Sequence, residues 1–128
     1  MIFVDTNYFV RFFVDDDHAQ HQAVKQLFLK ATNGEAELCT SPLVFFETAW
    51  VLASVYDVTG TRLHEVMQGF LEMGFIKIEE RELLREALVL ARQHKVAIED
   101  GYHLAWAKAK GCIEMATFDR KVKRASSE

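Results

Sequence analysis

Ile2-Phe3-Val4-Asp5-Thr6-Asn7 opens the chain with a short, wholly apolar run that ends in a polar cluster. Such a run suits a strand buried on both faces of a parallel sheet, and it puts Asp5 at the C-terminal end of that strand. Working outward from it, Asp17 is placed to cap a helix whose stripe is Ala19, Ala23, Leu27, Phe28 and Ala31, stopped by Asn33-Gly34. Leu38-Cys39-Thr40 reads as a second short strand. Ser41-Pro42 then starts a helix running to about Tyr56, with Ser41 as cap and Pro42 preset for the first helical position. Thr61 to Met73 repeats the amphipathic pattern, and Gly74 closes it before a third strand, Phe75-Ile76-Lys77-Ile78. A helix from about Arg81 to His94 carries Leu84, Ala87, Leu88 and Ala91 on one face. The next begins near Glu99 and ends at Lys110-Gly111, and Ile113 to Ala116 reads as a fourth strand.

Strands separated by helices, without a hairpin signal between alternating runs, indicate an α/β fold with a parallel sheet. The length of 128 residues, half of them apolar, suits one core and is too short for two. The expected domain spans residues 1–124, with 125–128 as a flexible tail. A formal charge of -4 argues against a protein that coats nucleic acid through Lys and Arg, but it is compatible with a nuclease, whose cation site needs carboxylates. Cys39 and Cys112 lack a CxxC partner and read as buried free thiols. No basic leader or bilayer-length apolar stretch is present, so the expectation is a soluble, cytoplasmic protein without a membrane partner.

Acids make up 19 of the 128 residues, so only their placement carries information. In the helix from Ser41 to Tyr56, Leu43, Val44, Trp50, Val51 and Ser54 define an expected buried stripe, and Glu47 falls inside it. A core-facing carboxylate costs on the order of several kcal/mol unless it is paired, metal-bound or protonated. Asp5 ends a strand, where ligands of open α/β sheets bind. Asp100 opens an Ala-rich helix and Asp119 follows the fourth strand, and helix capping explains each of these two as well as function does. Gathered together, four carboxylates would repel by roughly 4 kcal/mol per close pair at an effective dielectric of 20, so protons or cations must compensate. Oxygen ligands without Cys or an obligatory His favour Mg²⁺ or Mn²⁺ over Zn²⁺.

With these residues in place, the sequence resembles the PIN-domain family, particularly the small VapC-type toxins of toxin–antitoxin pairs. The likeness covers nearly the whole chain, and its carriers are Ile2-Phe3-Val4-Asp5-Thr6-Asn7, Phe46-Glu47-Thr48-Ala49, Glu99-Asp100-Gly101-Tyr102-His103-Leu104-Ala105 and Ala116-Thr117-Phe118-Asp119-Arg120. The resemblance implies a three-layer fold with the first strand central, strand order 3-2-1-4, and endoribonuclease activity. It implies Asp5, Glu47, Asp100 and Asp119 as catalytic acids, with Asp5, Asp100 and Asp119 on Mg²⁺ or Mn²⁺ and Asn7 and Thr117 as supporting polar groups. Its partners would be RNA, a small antitoxin and a second copy of the chain. Two departures stand out. The nine residues after Asp119 hold no apolar run for the family's usual fifth strand, and Gly101 stands where Ala is more frequent.

Arg11, Lys121, Lys123 and Arg124 follow Asp5 and Asp119 in sequence and are candidates for phosphate contact, against the commoner reading of solvated surface charge. His18 and His21 read as a solvated helix start, and His103 as a packed or surface residue. Phe45, Phe46, Trp50 and Trp106 read as core, and the Met67-Phe70-Leu71 stripe serves either the core or a homodimer. Two rival functions remain at this point. One is a phosphatase-like enzyme using Asp5 as nucleophile, which Thr6-Asn7 and the lack of a Gly-rich phosphate loop disfavour. The other is a noncatalytic PIN-like binding module.

Overall fold

The computed structural model describes all residues, 1–128, as two compact units, Met1–Glu79 and Glu80–Glu128. In the first unit, β1 (Ile2–Phe3), β2 (Leu38–Thr40) and β3 (Ile76–Ile78) form a parallel sheet in the order β1-β2-β3. Ile2 pairs with Leu38, Phe3 with Cys39, and Leu38, Cys39 and Thr40 with Ile76, Lys77 and Ile78. The parallel α/β reading therefore holds, with helices flanking the sheet, but the sheet has three strands instead of four. β2 is central and β1 is an edge. Segment 113–116, expected as the fourth strand, pairs with no strand, and Ile113 is fully exposed. As an edge strand β1 is also not covered on both faces: Ile2 and Phe3 are exposed, and burial begins at Val4. The Thr40 hydroxyl donates to the Val4 carbonyl at 2.9 Å, supplying a bond that the short ladder leaves unmade.

Four helices complete this unit: α1 (Thr6–Phe13), α2 (His18–Thr32), α3 (Pro42–Ser54) and α4 (Gly60–Leu71). Each donates one buried ring to a common core. Phe9 stacks on Phe70 at 4.1 Å and tilts against Phe28 at 5.9 Å, while Phe45 meets Phe70 edge-on at 5.4 Å. Met67, Phe70 and Leu71 are fully buried, which assigns that stripe to the core. Asp17 and Ser41 cap α2 and α3 through their side chains, as their positions before the helical stripes predict.

The second unit contains α5 (Arg81–His94), α6 (Ile98–Ala109) and α7 (Arg120–Ser126). α5 and α6 approach most closely at Gly101, where a Cβ would meet the Ala87 carbonyl oxygen at 2.2 Å. Gly101 is thus a packing requirement of the α5–α6 crossing. α7 seats Val122 and Ala125 against Leu104, and the helix includes Ala125 and Ser126 of the expected tail. No helix is long and apolar enough to cross a membrane.

Candidate functional site

In the first unit, Asp5 and Glu47 are joined through Thr6. α1 starts directly after β1, so Asp5 becomes its N-cap and accepts from the Thr6 amide at 2.7 Å. Thr6, only 8 % exposed, donates its hydroxyl to Glu47 Oε1 at 3.3 Å. One buried residue therefore orients two carboxylates that are 42 positions apart, and both are solvent-accessible. Thr6 does not stand out in the sequence as the acids do; its signal there is its place just after the strand-ending Asp5.

Glu47 does not lie in a buried stripe. α3 buries Val44, Phe45, Thr48, Ala49 and Leu52, whereas Leu43 and Trp50, 67 % and 65 % exposed, flank Glu47 on the open face. Apolar residues occupy both faces of this helix, so spacing alone admits either orientation. Glu47 is exposed and therefore carries no burial cost for a cation to offset; the Thr6 hydroxyl orients it instead.

Asn7 is exposed and borders a different cleft, shared with Tyr8, Arg11 and Gln20. Arg11 is engaged by protein groups: Nε donates to Gln20 at 2.7 Å, and Nη1 to Asp16 and to the Tyr56 hydroxyl, each at 3.0 Å. The Tyr56 hydroxyl donates in turn to Asp16 at 2.7 Å. This bond first, and the Arg11 charge after it, hold the Asp16 carboxyl below the usual range, while the Tyr56 contact raises Arg11. These bonds tie Arg11 into the scaffold of the first unit.

In the second unit, Asp100 occupies the first turn of α6, half-buried, and borders a cleft of about 540 Å³ together with Thr117. Asp119 is exposed and caps α7, accepting from the Val122 amide at 3.1 Å. The Asp119 amide donates to the Thr117 hydroxyl at 3.1 Å. Asp119 thus begins a helix and follows no strand, and its position is fixed by Thr117. Tyr102 and Trp106 line the same cleft. Trp106 is 42 % exposed, so it and Trp50 are not core residues, unlike the fully buried Phe45. The Tyr102 hydroxyl donates to Glu80 at 2.7 Å; burial first, and this bond second, push its pKa up to about 12.

The acids thus fall into two groups, Asp5 with Glu47 in the first unit, and Asp100 and Asp119, linked through Thr117, in the second. Neither gathers three His, Cys, Asp or Glu side chains closely enough to hold a metal by themselves. An all-oxygen pair still fits Mg²⁺, which is commonly held by one or two carboxylates, its remaining positions filled by water and phosphate. Cys39 is half-buried and Cys112 exposed, and both are free thiols; the expected burial therefore fails for Cys112. No curated protein and no solved structure matches the chain. The model of the PIN domain family matches residues 2–128, essentially the whole sequence and both units. The fold is therefore of a nuclease type, and the chain belongs to the PIN-domain family.

Proposed function

We propose that this chain is a Mg²⁺- or Mn²⁺-dependent endoribonuclease of the VapC type, the toxin of a toxin–antitoxin pair. The observation that carries the reading is the Asp5–Thr6–Glu47 arrangement, a pre-oriented carboxylate pair in a member of a nuclease family. Asp5, Asp100 and Asp119 would hold the cation, with Glu47 completing the acidic set. The bound ion would lower the pKa of a water and stabilise charge on the scissile phosphate. Thr6 fixes the directions of Asp5 and Glu47, and Thr117 fixes the backbone of Asp119. Asn7 would orient a carboxylate or phosphate from the first turn of α1. Lys121, Lys123 and Arg124 would contact RNA phosphates from α7, where all three are exposed. Arg11, in this reading, supports the fold of the first unit more than it contacts substrate.

A small antitoxin would silence the enzyme by covering Leu43 and Trp50 and placing a basic side chain beside Asp5 and Glu47. A homodimer in the cytoplasm, where cellular RNA is available, completes the proposal. The test is incubation of the purified protein with RNA and Mg²⁺, which should give products with 5′-phosphate and 3′-hydroxyl ends. Cleavage that continues in EDTA, or in Asp5→Asn, would overturn the reading. That neither unit holds three clustered ligands favours one alternative, a noncatalytic RNA-binding module. The same assay separates it, as RNA binding without cleavage at any divalent-ion concentration.

A further inference from the structure

We propose that the cleft bordered by Asp100 binds a nucleobase of a single-stranded RNA, with Trp106 as the stacking surface. The proposal deepens the nuclease reading and rests on it for the identity of the substrate. Asp100, Tyr102, His103, Trp106, Thr117 and Val122 line the cleft. Its volume of about 540 Å³ lies within the range of roughly 300–1,000 Å³ common to small-ligand sites.

Its chemistry is that of a base and not of a purely apolar ligand. Trp106 leaves 42 % of its surface open in a helix whose core residues, Leu104 and Ala105, are buried. Tyr102 precedes it by one helical turn, and the bond to Glu80 anchors its ring. Polar edges are available from His103 and the Thr117 hydroxyl. The Lys110 ammonium lies over one face of the Trp106 ring, 5.4 Å from its centroid, so a base would stack on the other face and find a cation near its phosphate. Charge distribution favours the same occupant. Residues 80–128 carry ten Lys and Arg against eight Asp and Glu, whereas residues 1–79 carry five against eleven. Four of those ten, Arg120, Lys121, Lys123 and Arg124, are exposed on α7, the helix that contributes Val122 to the cleft. Aromatic surface beside backbone-tracking cations is how single strands are held without sequence readout.

The test uses Trp50→Phe, which leaves Trp106 as the only tryptophan; Trp50 is exposed, so the change is tolerated. Fluorescence is titrated in EDTA with pentauridylate and with a ribose–phosphate pentamer lacking bases. Saturable quenching by pentauridylate is expected, with binding of the abasic pentamer about tenfold weaker. In the wild-type background, Trp106→Ala should weaken pentauridylate about tenfold by anisotropy, and Trp106→Phe much less, since a ring remains. Equal affinity for the two probes, or an unchanged Trp106→Ala, overturns the proposal. Cleavage plays no part in these titrations. A protein that prefers the base-bearing probe but never cleaves defeats only the nuclease reading, and one that cleaves without the preference defeats only the base site.

Discussion

Replacing Gly101 with alanine adds one methyl group where α6 crosses α5. That Cβ would stand 2.2 Å from the Ala87 carbonyl oxygen, 2.9 Å from Ala91 Cβ and 3.0 Å from Ala91 N, whereas ordinary contact begins at 3.4 Å. Two of the three obstacles are backbone, so no rotamer change relieves them, and the two helices must part by about 1 Å. Alanine gains about 1 kcal/mol over glycine in helix propensity. Overpacking costs about 1–3 kcal/mol, and a backbone obstacle puts this case at or above the upper end. The expected net effect is a loss of about 2 kcal/mol. Asp100 is the preceding residue, so the shift also moves a proposed metal ligand. Urea unfolding followed by circular dichroism reads the change as a lower midpoint at unchanged slope. A variant as stable as the wild type, or more stable by the propensity gain, would refute the close crossing.

Other expectations follow from single contacts. Thr6→Val keeps the amide that Asp5 accepts but removes the hydroxyl donated to Glu47, and should weaken Mn²⁺ binding by about 1 kcal/mol, roughly fivefold, while Thr6→Ser restores it. Tyr102, with its folded pKa raised to about 12, binds its proton more tightly when folded, so its stabilising effect is present below pH 10 and lost as pH rises from 10 towards 12. Ultraviolet titration should show a phenol ionising near 12 that disappears in Tyr102→Phe. Phe70, fully buried between Phe9 and Phe45, should cost about 3–5 kcal/mol on truncation to alanine, read as thermal destabilisation of the first unit.

What the sequence made legible was set by local chemistry. Asp17 and Ser41-Pro42 announce helix starts because capping depends on a few adjacent residues, and Gly111, with φ of +75°, follows the end of α6 as a left-handed residue should. α1 is not legible from composition because its aromatic and β-branched residues favour strands, although Phe9 and Phe13 share the helical spacing of four. α7 was hidden by its charge: only Val122 and Ala125 are buried in it. The Ile113–Ala116 run has strand composition, but a strand needs a partner, and composition does not supply one. The face on which Glu47 lies is not legible from spacing, because α3 is apolar on both. The acids themselves were legible as candidates; the hydroxyl groups that position them, Thr6 and Thr117, depend on three-dimensional neighbours.

Electron paramagnetic resonance of free Mn²⁺ tests the central claim most directly, because it reads cation capture without requiring a known RNA. The account predicts that the wild type binds Mn²⁺ and that Asp5→Asn and Asp100→Asn, one from each unit, each weaken binding by about tenfold or more. Mn²⁺ affinity that is the same in the wild type and both variants would contradict it.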